Sequence, residues 1–582
     1  MTSSRNSPGG KEYERDHDHC QDRGDSFRQK SGEYASEGVV QRESSETLFD
    51  ILWYGRITPA NNNSNHRFIP FHKLEMVRNR VLTQNSLTRD GVDQKYIPEL
   101  LRKICTYPTP EGESSYFRIF AILVLCGRPK YISNFIEQHI DDSYLPLPMI
   151  ERNKDTFTAI PRRHGRSISR DKLESLFWNE TDWRPADLNA IDTFQWWTMA
   201  PFFYRPDNAI PHYILEDSDI LPFTEKKGHT ELELESLDQD VREVVLQGAL
   251  QGGFSDVFIV KLHASHNGFG NHPYSDGSGS YALKRLKSPN MHDFELEVNA
   301  LRKYKYDIDD HLIPLLATIE KEDEAGKYYL LFPKANGNLR DLWAKGFNGI
   351  DPSEELVVRW MAEECIGIAK ALSMLHKDQD ADRGEDFPIY GRHGDIKAGN
   401  ILWFSKPDIK GPLGWRLVLS DFGLMRFHRA ISISAQTANK LKKTLTYQAP
   451  EFDIAGAKIS RKSDIWALGC TYLEFATWYI SGYEAVEEEF PSRRAQTDDD
   501  LFGISEDKFY RVLDDGKSAE LKPRVREWIS DLRGRPKCSP YLCGFLDFIE
   551  DKMLRIERDE RSSASQVVSH LESLLGRLPN QE

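Results

Sequence analysis

The chain has 582 residues, of which 39% are hydrophobic and 29% charged, and its formal net charge is −15. That length allows about three domains, or one large two-lobed domain with additions. The acidic balance gives no overall electrostatic case for nucleic acid or an anionic membrane surface. The seven scattered cysteines, whose closest pair Cys538 and Cys543 lacks zinc-site spacing, point to free thiols in a reducing compartment.

The N-terminal stretch MTSSRNSPGGKEYERDHDHC lacks the apolar core of a secretory signal. The longest apolar run, FRIFAILVLC at 117–126, contains an arginine and falls short of the roughly 20 residues that span a bilayer. The expected location is intracellular and cytoplasmic, with nuclear access left open. Residues 1–46 are polar with almost no aliphatics, so they cannot offset chain entropy by burial and read as a disordered tail. Residues 47–235 turn apolar and read as a mostly α-helical region. LRKICTYP, SSYFRIFAILVLCG and KYISNFIEQHI carry helical spacing, with Gly127 and Pro129 separating the last two. FQWWTMAPFF, residues 194–203, reads as buried core. PRRHGRSISRDK, residues 161–172, reads as a solvated loop, with phosphorylation of Ser167 or Ser169 among the arginines as the alternative.

From residue 236 the pattern changes. FSDVFIVKLH and SYALKRLK alternate as strands, joined by the polar, glycine-rich SHNGFGNHPYSDGSGS, which reads as a flexible hairpin loop. YYLLFP, residues 328–333, is a short buried strand, and residues 354–377 keep one apolar helix face over about six turns. Strands followed by helices predict an α+β, two-lobed domain over 236–578, with an N-lobe at 236–335 and a C-lobe at 336–578. The acidic runs EAVEEEF (484–490) and DDD (498–500) read as solvated insertions.

The chemistry concentrates in two places. HGDIKAGN, residues 393–400, packs an acid, a base and an amide ahead of the strand-like Ile401, Leu402 and Trp403. About twenty residues on, RLVLSDFG ends a second strand at Asp421. Two carboxylates and an amide at strand–loop junctions suit Mg²⁺, which takes one or two carboxylates plus phosphate oxygens.

Seven stretches occur in order: GGFSDVF (252–258), YALKRLK (281–287), FELEVNAL (294–301), HGDIKAGN (393–400), SDFG (420–423), YQAPEF (447–452) and SDIWALGC (463–470). The ordered set resembles the eukaryotic protein kinase family. HGD in place of HRD, behind a helical N-terminal region, resembles non-RD kinases of filamentous fungi. The resemblance implies ATP and Mg²⁺ as cofactors and a protein substrate offering a serine or threonine hydroxyl. It implies no nucleic acid, no membrane, and an unidentified regulator or partner of the helical region.

The resemblance also implies roles. Lys284 would meet the α/β phosphates and pair with Glu297, with Glu295 as the near alternative. Asp395 would orient the substrate hydroxyl, Lys397 would neutralise the transferring phosphoryl, and Asn400 and Asp421 would hold Mg²⁺. Lys397 matches the serine/threonine branch. Leu250, Gly252, Gly253, Val257 and Ala282 would surround the nucleotide, Leu331 would be the gatekeeper, and Lys334 lies in the hinge Phe332 to Ala335. His393 and Asp464 would support the catalytic loop, Thr446 would contact it, and Glu451 would pair with Arg561.

Two departures stand out. The phosphate loop keeps only the middle glycine, reading Leu250, Gly252, Ser255; a register on Gly248 misplaces Phe254 and Val257. Gly394 occupies the place where most kinases carry an arginine that meets an activation-loop phosphate. The transfer chemistry does not need that arginine, so glycine argues against switching by loop phosphorylation. The competing reading is a pseudokinase or scaffold that binds through its helical region. A small-molecule phosphotransferase fits less well, because QAPEF, SDIWALG and Arg561 belong to the protein-substrate lobe.

Overall fold

The computed structural model describes residues 46–579 except 61–65, 108–113, 154–155, 179–181, 207–208, 229–254, 271, 273, 292–293, 296–297, 299–300, 302–310, 324–325, 348–352, 378–391, 406–412, 422–445, 497–506 and 514–515. The expected tail lies outside them but for Glu46, and so does the DDD run. The chain divides into two compact units. One holds Met1–Lys226, Val260–Gly270 and Ala317–Tyr329; the other holds Lys227–Ile259, Asn271–Leu316 and Leu330–Glu582.

In the first unit, α1 (Leu48–Tyr54) starts at a reciprocal cap. The Thr47 hydroxyl accepts the Asp50 amide at 3.1 Å, and the Asp50 carboxylate accepts the Thr47 amide at 3.0 Å. Two amides that a helix start would leave bare are thus satisfied. Helix α2 (Phe117–Leu125) is apolar all round and buries every residue but Arg118, as the central helix of a packed unit must. Helix α3 (Pro185–Thr198) packs on it and buries Gln195, Trp196 and Trp197 from the aromatic stretch. A short antiparallel hairpin, β1 (Met149–Arg152) and β2 (Phe157–Ile160), completes this part.

Six strands form one sheet: β3 (His212–Leu215), β4 (Phe223–Gly228), β5 (Ser255–Leu262), β6 (Ser280–Leu286), β7 (Ala317–Asp323) and β8 (Gly326–Pro333), in the order β3-β7-β8-β6-β5-β4. Two of them precede residue 236, so the sheet takes in chain from before the start expected for the strand-rich domain. Strand β3 runs parallel to β7, His212 opposite Thr318 and Leu215 opposite Lys321. The buried Lys321 ammonium donates to the carbonyls of Glu216 and Asp217, 2.7 Å each.

The connection expected as a flexible loop from 265 is pinned at its start. Phe203 donates its amide to His266 O (2.9 Å) and Gly268 donates to Phe203 O (2.7 Å). Gly268 permits this approach, since a Cβ there would sit 2.9 Å from Tyr204 Cβ and 3.0 Å from Phe203 O.

In the second unit a three-stranded antiparallel sheet, β9 (Gly337–Asn338), β10 (Ile401–Ser405) and β11 (Trp415–Leu419), runs in the order β11-β10-β9. Helix α4 (Glu354–Lys377) packs on β11 and on α6 (Ala564–Leu575). Between them in sequence, α5 (Lys462–Ser481) buries every residue from Ser463 to Ile480. Arg561 grips Glu451 through two hydrogen bonds of 2.9 and 2.7 Å. The acidic run at 484–490 is not simply solvated: it forms a helical turn that buries Ala485, Val486 and Phe490 and pairs Glu487 with Arg340. Its interspersed apolar residues hold it down. The fold is α+β, with a β-sheet N-lobe, a helical C-lobe and a helical N-terminal region ahead of them.

Candidate active site

The site is built on two strand–loop junctions of the second unit. The loop 393–400 enters β10, and β11 runs out into Ser420 and Asp421. The junctions are stitched together by Asn400, whose carbonyl accepts from both the amide and the hydroxyl of Ser420, 2.9 Å each. His393 adds a further tie. Its Nε2 donates to Ser420 O at 3.0 Å, and its Nδ1 accepts the Asp395 amide at 3.3 Å. That pair of roles fixes a neutral tautomer, and burial depresses the pKa of the ring accordingly.

Asp464, near the start of α5, braces the loop from below. It accepts the amides of His393 (2.8 Å) and Gly394 (2.9 Å) and the Nε2 proton of His376 (2.9 Å). Gly394 has φ +84, a left-handed conformation that glycine adopts without a Cβ penalty.

Five of the expected site residues converge here. Asp395 Oδ2 receives Lys397 Nζ at 2.7 Å and Asn400 Nδ2 at 2.7 Å, and Asn400 Nδ2 also lies 2.8 Å from Asp395 O. Lys284, from β6, places Nζ 2.8 Å from Asp421 Oδ1. The Lys284 ammonium pulls the Asp421 carboxyl down to about 2 against the opposing effect of burial, and His393 and Lys397 add to the pull. Asp421 is one of two non-glycine residues with positive φ (+64) among the described residues. Such a left-handed residue costs about 1–2 kcal/mol, and strain of this kind persists where the surroundings over-determine it.

The donor set suits a hard cation beside phosphate. Asp421 is ionised at neutral pH, and with Nδ2 committed to Asp395, Asn400 can offer its Oδ1. No group of three or more His, Cys, Asp or Glu ligands occurs among the described residues. An ion held here would draw its other ligands from phosphate oxygens and water.

The remaining expected residues are placed less fully. Val257 on β5 and Ala282 on β6 are half-buried, Leu331 on β8 is buried, and Lys334 follows that strand half-buried. Glu297, Leu250, Gly252 and Gly253 lie outside the described residues, while Glu295 is exposed on a helical segment. Thr446, expected against the catalytic loop, has its hydroxyl on Asp507 at 3.1 Å. Sequence reasoning passed over Ser420 and His376. The signal for Ser420 was its place between a strand and an acid; nothing in the sequence marks His376.

Residues 274–571, just over half of the chain, match the family model described as protein kinase domain. Among curated proteins, the receptor-like protein kinase HAIKU2 of Arabidopsis thaliana is 26% identical over 269 residues, 44% of this chain and 24% of that protein. The serine/threonine-protein kinase ppk13 of Schizosaccharomyces pombe is 23% identical over 253 residues, 38% of this chain and 67% of that protein. Mitogen-activated protein kinase kinase kinase 9 of Arabidopsis thaliana is 32% identical over 154 residues, 25% of this chain and 17% of that protein. The chain thus spans about a quarter of the length of the first of these relatives and two thirds of the second.

Proposed function

Because this chain belongs to the protein kinase family, we propose that it transfers the γ-phosphate of ATP, with Mg²⁺, to serine or threonine hydroxyls of proteins. The observation that carries the reading is the convergence of Lys284, Asp395, Lys397, Asn400 and Asp421 on two stitched junctions. Phosphoryl transfer depends mainly on positioned charge, and this cluster supplies two carboxylates, two ammonium groups and an amide. Asp395 accepts or orients the hydroxyl proton of the substrate. Lys397, hydrogen-bonded to Asp395, neutralises the developing phosphoryl charge. Lys284 steadies the α/β phosphates, and Asp421 and Asn400 hold the metal, which supplies charge neutralisation between phosphates.

Serine/threonine preference is supported by Lys397 and by relatives named for that activity. The narrower likeness to kinases of filamentous fungi rests on HGD and the helical N-terminal region. No helix among the described residues is long and apolar enough to cross a membrane, and the cytoplasmic location is proposed from the polar N-terminal stretch and the scattered cysteines. The scaffold alternative draws on Leu250 and Ser255 in the phosphate loop.

The deciding experiment gives labelled Mg-ATP to the purified full-length chain and to Asp395→Asn, with a generic basic protein as acceptor. Transfer by the parent and a fall of two or more orders of magnitude in the variant is the expected result, because proton transfer and orientation by one positioned group account for about 10²–10⁴ in rate. Nucleotide binding without transfer by either protein would favour the scaffold.

A further inference from the structure

Strand β11 delivers Asp421, and only one of its edges is paired with β10. On the other edge, residues 415, 417 and 419 turn their backbone groups outward, and each finds a partner from outside the sheet. Trp360 Nε1 donates to Trp415 O at 3.1 Å. The Leu417 amide donates to the Glu364 carboxylate at 2.6 Å, and His311 Nδ1 donates to Leu417 O at 2.8 Å. The Leu419 amide donates to His311 O at 2.8 Å, and the Ile313 amide donates to Leu419 O at 3.0 Å. An open strand edge is satisfied in this way by one tryptophan, one buried acid, one imidazole and a short strap at 311–313.

Glu364 is 3% exposed in the middle of α4, where an acid is costly unless paired. Besides the Leu417 amide it has Arg416 Nε at 3.5 Å and His311 Nδ1 at 3.7 Å. His311 Nε2 faces Arg416 NH1 at 3.3 Å, so the ring is neutral with its proton on Nδ1. Burial, reinforced by Arg416, holds its pKa down at about 3. The ring lies where a side chain from α4 would otherwise stand. A Cβ on Gly367 would come within 2.0 Å of His311 Nε2.

We infer that His311 and Glu364 are positioning residues for Asp421: they hold the outer edge of the strand that delivers it, and residue 367 is glycine to admit the His311 ring. The inference rests on the reading of Asp421 as a metal-holding residue of a phosphoryl-transfer site. Each acts through Leu417 and Leu419, two and four residues upstream of Asp421.

The test uses the full chain and three variants. Glu364→Leu removes the acceptor at similar volume, Glu364→Gln keeps an acceptor and removes the charge, and Gly367→Ala displaces the ring. A direct partner of a metal ligand typically changes affinity or activity by about 10-fold to 100-fold, and these residues stand further out, so a several-fold effect is expected. Glu364→Leu and Gly367→Ala are expected to raise the Mg²⁺ concentration for half-maximal transfer to that extent, with the KM for the protein acceptor near the parent value. Glu364→Gln should recover most of the loss. Lys370→Ala, on the exposed side of the same helix where Lys370 pairs with Glu572, should leave the Mg²⁺ requirement unchanged.

Amide exchange at Leu417 and Leu419, measured without metal or nucleotide, supplies the second readout. It should quicken in Glu364→Leu and Gly367→Ala ahead of the rest of β10 and β11. Folded variants with parental exchange and parental Mg²⁺ requirement would overturn the inference. Should Glu364→Leu fail to fold, Gly367→Ala decides. Should the parent transfer no phosphate, the proposed function falls, and the exchange data alone decide whether the latch exists.

Discussion

Two aspartates, one in each unit, do the same local job with opposite electrostatic results. Asp142 caps α2, accepting the Ile119 amide at 2.9 Å, the Arg118 amide at 3.2 Å and the Ser115 hydroxyl at 2.8 Å. Asp464 accepts two amides and an imidazole proton at 2.8 to 2.9 Å. Burial is the largest influence on both and pushes both upward. It wins at Asp142, whose pKa rises to about 6, and loses at Asp464, whose pKa is lowered. The count of hydrogen bonds is equal, so the count does not decide. Asp464 has His376 and His393 against it, whereas Asp142 has Arg118 as its one nearby cation of consequence. The largest influence opposing burial at Asp464 is the ring hydrogen bond from His376, a partner that Asp142 lacks. The brace under the 393–400 loop is therefore ionised at neutral pH, and the cap on α2 lies closer to its titration.

Removing each acid tests the contrast, and Asp464 should matter more. Asp464→Ala leaves the amides of His393 and Gly394 and the His376 ring without their acceptor in a buried place. Each orphaned group costs about 1–3 kcal/mol. The expected result is loss of a large part of the stability of the second unit together with transfer activity, read by denaturant unfolding and by the labelled-phosphate assay. Asp464→Asn, which keeps one acceptor oxygen, should be milder in stability. Equal, small effects of both substitutions would show that the loop holds itself.

The cap should reveal itself through pH. The folded pKa of Asp142, about 6, stands above its ordinary value of 3.8. A raised carboxyl contributes stability that is fully present below the unfolded value and is lost as pH rises through the folded one. Between pH 4 and 6, then, Asp142 should contribute stability that grows as pH falls, alongside Asp219, which burial also raises to about 6, and against His266, which burial lowers to about 4, and Asp142→Asn should remove Asp142's share of the slope. Exchange of the Arg118 and Ile119 amides against pH in the full chain reads it directly. A slope unchanged in the variant would place the titration elsewhere.

Much of this was legible in the sequence, for reasons that show where legibility ends. Lys284, Asp395, Lys397, Asn400 and Asp421 stand in short local motifs whose chemistry survives without knowledge of the fold, and the 354–377 helix announces itself by its apolar period. Strands His212–Leu215 and Phe223–Gly228 do not, because HYIL and FTEKKG are too short to alternate visibly, and the partner of the first lies more than a hundred residues away. Glu364 and Gly367 were equally opaque. In a helical pattern a single acid reads as solvent-facing and a single glycine as a weak point, and their reasons lie over fifty residues away in either direction: the Leu417 amide for the acid and the His311 ring for the glycine.

The smallest effect returns to Gly394, and it sharpens the account of Asp464. The glycine amide reaches Asp464 from a backbone at φ +84. A residue with a Cβ in the left-handed region costs about 1–2 kcal/mol. Gly394→Arg should therefore lower the unfolding free energy of the second unit by about 1 kcal/mol, provided the amide keeps its bond to Asp464. The new guanidinium would also stand beside a loop that already carries Lys397 and Arg392. Transfer activity should fall modestly or stay level, since the bonds to Asp395 come from Lys397 and Asn400 and involve no side chain at 394. A several-fold rise in activity would instead mean that an anion in the 421–451 stretch was waiting for that arginine. The glycine would then be a lost regulatory contact rather than a residue chosen for its backbone.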